Sequence, residues 1–362
     1  MSRAREFADL AGSADAGGIT GRNLIINGAM QVAQRGTVTG HTSGYGGPDR
    51  FQFDRSGAAA VTLSQDTDVP SNQGFSNSFK VDVTTADSSL AAGDYALFQH
   101  RVEAQNLQHL LYGTSDAKKV TLQFWVKSAK TGVHIVELMA HDVQYFNPQS
   151  YTIASANTWQ KVTMTFDGYQ SGAINNDNGI GFAINWWLAA GSTYSGGTLS
   201  SNTWHNTAAN RAVGQVNVMD STSNNFYLTG IQLEVGDTAT DFEHRSFADE
   251  LARCQRYYNR MNADNAYSMW GAGFTYTTSQ AKINIPFPVE MRTAPSLGQS
   301  ANSTLKIFAV STYTFSSDAT INNPSSWGTN LTCFSSGLTA GQGAVIMANN
   351  DASAYLEFIA EL

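Results

Sequence analysis

Residues 119–128 read KVTLQFWVKS, and the placing of their apolar side chains decides the fold. Val120, Leu122, Phe124 and Val126 stand two apart, with Thr121, Gln123 and Trp125 between them. Successive side chains of an extended chain point to opposite faces, so this spacing predicts a strand with one face committed to a core. The alternation recurs in FKVDVTT (79–85), YALFQHRVEA (95–104), VHIVELMA (133–140), WQKVTMTF (159–166), IGFAINWWLA (180–189) and FYLTGIQLEV (226–235). Turn-rich stretches such as TADSSLAAGD and YQSGAINNDNG separate the runs. About eight to ten short strands at this spacing predict a β-sandwich of jelly-roll type.

Composition points the same way. Only 14% of the 362 residues are charged, against roughly 25% in ordinary domains. The polar surface therefore rests on Ser, Thr, Asn, Gln and 32 glycines, which suits strands and turns better than long helices. An all-β chain of two domains is expected. The net charge of −8 and the lack of any basic cluster argue against a nucleic-acid partner. No apolar run approaches the roughly 18 residues of a membrane helix, so membrane insertion is not expected. The opening MSRAREFADLAGSADAGG lacks the apolar core of a secretory signal, and synthesis in a cytosol is expected. Cys254 and Cys333 are too few for a disulfide framework or a zinc site and read as reduced packing residues.

Four regions follow. In residues 1–21, RAREFADLA places Ala4, Phe7, Ala8 and Ala11 at helical spacing. So short a helix is marginal alone, which makes Phe7 a candidate contact residue of a docking segment. Residues 22–245 hold the jelly roll. Its opening, NLIINGAMQVAQRG (23–36), reads as a first strand with Leu24 and Ile26 on one side and a turn or bulge at Asn27-Gly28. A connecting helix is expected over 246–262, where SFADELARCQRYYNR offers Ser246 as N-cap and Asp249 three residues on. Acids come first in it and bases last, as the helix dipole favours. Phe247, Leu251, Cys254 and Tyr258 share its apolar stripe, a candidate oligomer or domain interface. Residues 263–362 resume strand patterns and predict a second, smaller β-sandwich; no internal repeat of solenoid or propeller length is visible.

Catalytic motifs are missing: there is no G-x-S-x-G, H-E-x-x-H, P-loop or dinucleotide fingerprint. His134 and His141 would fall on opposite faces of a strand. Glu234/Asp237 and Asp241/Glu243 read as solvated loop acids rather than a glycosidase pair. No enzyme, metal or cofactor is expected. Aromatic residues carry more. NWWLAAGSTYSGGTLSSNTWHN (185–206) and VQYFNPQSY (143–151) set indole and phenol rings among amides and hydroxyls. A sugar stacks its C–H face on such rings while amides take its hydroxyls. Tyr145, Trp187, Tyr194 and Trp204 are thus candidate glycan-binding residues. Adjacent Trp186 and Trp187 must point to opposite faces, so one of them belongs to a core; packing or subunit contact is the competing reading of the cluster.

RNLIINGAMQVAQRG, PDRF (48–51), KKVTLQFWVKS, ANTWQKVTMTF and, above all, FYLTGIQLEVGDTATDFEHRSFADELARCQRYY (226–258) resemble the carbohydrate-binding-module-like jelly rolls of bacteriophage tail-fibre and minor structural proteins. The resemblance covers roughly 20–260. It implies a virion structural protein, a homotrimeric fibre or appendage that docks on other virion proteins through its N-terminal segment and contacts host surface polysaccharide. A capsid head-fibre or decoration protein shares every feature, and a glycan-degrading depolymerase is the third reading. Some related modules hold a structural calcium through a Glu in the opening motif and acids near the last strand. Here Gln31 and Thr229-Gly230 stand at those places, which removes the anionic ligands a hard cation needs.

Overall fold

The computed structural model describes residues 21–362, so Phe7 and the docking segment up to residue 20 lie outside the described residues. The chain divides into two compact units, which meet in sequence at Glu250 and Leu251.

The first unit is a jelly-roll β-sandwich of two six-stranded sheets. Its strands are β1 (Val38–His41), β2 (Gly44–Tyr45), β3 (Phe51–Ser56), β4 (Ala60–Asp66), β5 (Ser78–Thr85) and β6 (Tyr95–Glu103). Then follow β7 (Val120–Ser128), β8 (Gly132–Ala140), β9 (Tyr145–Ile153), β10 (Gln160–Phe166), β11 (Ile180–Ala190) and β12 (Asn225–Val235). One sheet runs β1-β4-β5-β12-β7-β10 and the other β2-β3-β6-β11-β8-β9, antiparallel throughout. From β5 onward the chain passes to the opposite sheet at nearly every step, which wraps the two sheets around a shared core.

That core is the one the alternation anticipates. Val120, Leu122, Phe124 and Val126 of β7 are all buried, and they meet Phe98 of β6, Val136 and Leu138 of β8 and Trp186 of β11. Rings interlock between the sheets: Trp186 lies 5.7 Å from Phe124 and 5.9 Å from Phe98, centroid to centroid. Trp187 points to the other face of β11, as neighbours on a strand must.

The opening stretch differs from its reading. Residues 22–37 form no strand, and Ile25 rather than Leu24 or Ile26 is fully buried. The reason is chemical. The Asn23 side chain accepts from Ile25 N at 3.0 Å and Leu233 N at 3.1 Å, taking bonds that a strand ladder would use. Asn27 adopts a left-handed φ of 62°, and its amide donates to the carbonyls of Val32 and Asp49. Gly28 follows because a Cβ there would stand 2.1 Å from the Ile231 carbonyl oxygen.

The far end of the unit closes on this segment. Arg245 donates to the carbonyls of Ile25, at 3.0 Å, and Asn23. Glu243 accepts from Asn23 N at 2.7 Å and Glu250 from Asn27 N at 2.6 Å.

His134, on the inner face of β8, is fully buried against Tyr151 and Phe226. Burial lowers its pKa to about 4, with a bond to the Lys130 carbonyl only partly opposing. The unfolded chain would titrate near 6.5. Between those values the unfolded state binds a proton that the folded state refuses, so stability rises with pH across the window and is lost as pH falls through it. The expected loss from pH 7 to pH 4 is about 3 kcal/mol from this residue. Urea unfolding of the unaltered protein and His134→Phe at the two pH values measures this residue's share; the buried His100, whose pKa burial and Arg50 also hold well below the ordinary value, should leave a further acid loss in both proteins.

The connecting helix is shorter than its reading. Helix α1 spans Phe247–Gln255, with Asp249 N donating to the Ser246 hydroxyl as the capping pattern requires. Tyr258 is not helical: β13 (Tyr258–Asn262) starts there and pairs with Tyr355–Ile359. The stripe expected over 246–262 therefore does not exist as one surface. Phe247 is exposed, Leu251 half-buried, and Cys254 and Tyr258 fully buried. Helical spacing continues past Gln255, but Tyr258 is a strand-favouring residue with a strand partner, and the Tyr257 carbonyl accepts from Ala360 N at 2.8 Å.

The second unit, Leu251–Glu361, is the smaller β-domain. A three-stranded sheet sets Tyr355–Ile359 between β13 and Ser296–Gln299. A seven-stranded sheet runs Thr312–Thr314, Leu305–Phe308, Gly343–Ala348, Met269–Thr275, Gln280–Pro286, Gly328–Phe334 and Ser317–Asn322. Their shared core includes Ile283, Leu331, Ile346, Leu356 and Phe358. Cys333 lies in it, and burial pushes its thiol up to about 12, so it stays protonated.

Candidate functional site

The outward face of the sheet β2-β3-β6-β11-β8-β9 is where polar chemistry collects. Register sets Gln52 opposite Gln99, Gln99 opposite Asn185, and Asn185 opposite Glu137. One row across four strands thus carries three amides and a carboxylate, every one of them buried. Buried polar groups must find partners, and these find each other. The amides of Gln52 and Gln99 meet, Gln99 Nε2 donates to Asn185 Oδ1 at 2.5 Å, and Asn185 Nδ2 donates to Glu137 Oε1 at 2.8 Å. Arg211 closes the row in a bidentate clasp, Nε to Glu137 Oε2 at 2.8 Å and Nη2 to Oε1 at 2.7 Å. Burial alone would lower the Arg211 pKa, but the Glu137 carboxylate outweighs it and holds the guanidinium charged.

Arg211 comes from the long segment between β11 and β12. A single helical turn, Ser192–Ser195, brings Tyr194 over the sheet, and Ala212 N donates to the Tyr194 carbonyl at 2.9 Å. The guanidinium carbon then lies 3.9 Å from the Phe146 ring centre, 5.1 Å from that of Trp187 and 5.9 Å from that of Tyr194. Cation–π attraction and the ion pair fix it together. Tyr194 meets Trp187 at 5.4 Å and Tyr95 at 5.6 Å. Tyr95, Leu97, Trp187, Tyr194 and Arg211 enclose a pocket of about 160 Å³. Burial and the neighbouring Asp54 carboxylate raise the Tyr95 phenol, which stays protonated and donates to Asp54 Oδ2 at 3.2 Å.

Trp187 is 1% exposed, with the guanidinium over its ring and Leu97, Ile135 and Ala212 packed around it, so the open wall of the pocket is the half-buried phenols of Tyr95 and Tyr194 beside Arg211. The volume is about half the lower end of drug-sized pockets, near 300 Å³, which suits one ring rather than a chain of them.

The sandwich is similar in fold to carbohydrate-binding modules. The family 11 carbohydrate-binding module of a cellulosomal cellulase of Clostridium thermocellum is 13% identical with a TM-score of 0.28, over 58% of this chain and 98% of that one. A module solved with β-1,4-galactotriose is 11% identical with a TM-score of 0.28, over 59% and 99%. The enzymatically active domain of bacteriophage CBA120 tailspike protein 4 is 13% identical with a TM-score of 0.33. The match covers 59% of this chain but only 22% of the tailspike domain's length. No family model matches the chain, and no curated protein matches it in sequence.

The four sequence-derived glycan candidates divide between two places. Trp187 and Tyr194 share the pocket. Tyr145 and Trp204 belong to a stack at the sandwich margin, where Tyr169 lies 4.8 Å from Tyr145 and 5.3 Å from Trp204, and Trp204 Nε1 donates to the Asp167 carbonyl at 2.6 Å. Both are half-buried against the main core. Of the four acids read as solvated loop residues, Glu234 is instead a buried residue of β12 that accepts from Thr240 N at 2.8 Å, and Glu243 holds the opening segment, so these two fasten loops. Sequence reasoning missed Glu137, Arg211 and Tyr95. A signal existed for Glu137, a lone carboxylate inside the apolar run VHIVELMA; Arg211, in a Gly/Ala/Asn loop, left none.

Proposed function

We propose that this protein binds a glycan by an end ring seated in the pocket of Tyr95, Trp187, Tyr194 and Arg211, and that it does so without cleaving the sugar. The observation that carries the reading is the guanidinium held among three rings. Glu137 is spoken for on both oxygens, which supports binding over hydrolysis. The setting, a homotrimeric bacteriophage appendage presenting the jelly roll to host surface polysaccharide, comes from the sequence resemblance of residues 20–260.

A glycan array with purified protein tests the pocket. Tyr194→Ala removes a half-exposed wall and should weaken binding roughly tenfold or more. Trp204→Phe, in the separate stack, should bind as the unaltered protein does. Equal binding by all three proteins would reject the pocket, and new reducing ends after incubation would reject the non-enzymatic reading.

A further inference from the structure

The seven-stranded sheet of the second unit buries one side in a core, through residues such as Ile283, Ile307 and Ile346, and turns the other outward. Register gives the outward positions. Lys306 stands opposite Met347, Phe308 opposite Val345, Ala272 opposite Val345 and Asn284, and Phe274 opposite Gly343 and Lys282. Two lysines and no acid fall among the outward positions that register fixes.

Each ammonium lies against a tyrosine. Lys282 Nζ is 5.8 Å from the ring centre of Tyr276, and Lys306 Nζ is 4.5 Å from that of Tyr267. Both rings are open to solvent, Tyr276 at 58% and Tyr267 at 50% exposure. Neither ammonium meets a carboxylate among the described residues. Lys282 Nζ donates to the Thr332 hydroxyl at 2.5 Å. Lys306 is 8% exposed, and its Nζ has the Tyr267 ring beside it but no anion. A charged side chain so far from water is ordinarily paired.

We propose that this face binds a chain of acidic sugars, a uronate-bearing polysaccharide laid diagonally from one lysine–tyrosine pair to the other. A uronate ring carries a C–H face and a carboxylate on the same residue, so a tyrosine and the ammonium beside it can take both. The pairs stand three strand spacings apart across the sheet and four residues apart along it, Met347 and Gly343 marking the two levels. At about 4.8 Å per strand and 3.3 Å per residue the diagonal is roughly 20 Å, which takes several linked rings. Ala272 and Val345 lie between the pairs and keep the path low, while the exposed Phe274, Phe308 and Met269 offer further apolar surface. Asn284, Asn330 and Asn322 stand in register on three neighbouring strands, amides able to meet sugar hydroxyls. Charge also selects among polyanions. Nucleic acid presents a phosphate at every nucleotide, and two ammoniums on a chain of net charge −8 are too few to hold it.

The inference does not rest on the jelly-roll pocket. Retention of the full chain on immobilised polygalacturonate, alginate and hyaluronan tests it, with the same polymers methyl-esterified as uncharged counterparts and a single-stranded DNA oligonucleotide as the denser polyanion. At least one uronate polymer should retain the protein at low salt, and its ester and the DNA should bind at least tenfold more weakly. Lys282→Gln with Tyr276→Ala should weaken retention roughly tenfold with an unchanged melting profile, and Tyr267→Ala should weaken it without any second change. Retention of no uronate polymer, equal retention of ester or DNA, or undiminished retention of either variant would each overturn the proposal. So would loss of retention in Tyr194→Ala, which would seat the uronate in the jelly-roll pocket and leave that reading intact.

Discussion

Glu137→Ala is expected to cost the sandwich about 3–5 kcal/mol, the usual penalty for leaving one partner of a buried pair without the other. The carboxylate is fully buried and the Arg211 side chain is 15% exposed, so water cannot take over its role. The loss reaches further than the pair. Asn185 would keep an amide donor without its acceptor, and the segment carrying Tyr194 and Arg211 would lose its anchor on the sheet. At about 2–4 °C per kcal/mol for a unit of this size, the melting temperature of the sandwich should fall by roughly 10 °C. The double variant Glu137→Leu/Arg211→Met, which removes both charges at similar volume, should recover most of the stability while abolishing glycan binding. Calorimetry on the three proteins decides it; a double variant as unstable as Glu137→Ala would show that the pair is not what holds the segment.

Trp186→Ala should be as damaging, at about 3–5 kcal/mol. The indole is fully buried at the centre of the ring cluster that joins the two sheets, so its removal opens a cavity whose walls are strands and cannot collapse. Its Nε1 makes no hydrogen bond among the described residues. Trp186→Phe should therefore lose only packing volume, about 1–2 kcal/mol, and preserve the cooperative transition. Chemical denaturation separates the two; an equal loss in both variants would mean the indole N–H matters after all.

Period-two alternation was readable because each strand of the first unit faces one continuous core, and a side chain's parity settles its face. KVTLQFWVKS and NWWLA behave in this way, and so the sandwich and the opposite facing of Trp186 and Trp187 were legible. NLIINGAMQVAQRG was not, because asparagine side chains replace the ladder and leave an apolar run that only resembles a strand. The end of α1 was hidden for a similar reason: helical spacing carries across Gln255, and only the distant partner Tyr355–Ile359 makes Tyr258 a strand residue. The pocket was half legible. Ring-rich segments could be seen, but the pairing of Glu137 with a residue 74 positions later depends on topology. Exposure of the second unit's sheet face was invisible, since Phe274 and Ile283 are both apolar strand residues and only the presence of a second layer tells them apart.

The closure between the opening segment and Arg245, Glu243 and Glu250 has a mechanical consequence. Both ends of the sandwich are joined to each other at the same residues that join them to β12: Asn23 meets Glu243 and Arg245 and also Leu233, and Glu243 N donates to Gln232. Tension drawn along the polypeptide from residue 21 to residue 250 therefore falls on this closure and its bonds to β12 together, ahead of the other eleven strands within the loop. The pocket rides inside that loop, so its geometry survives pulling until the closure itself gives way.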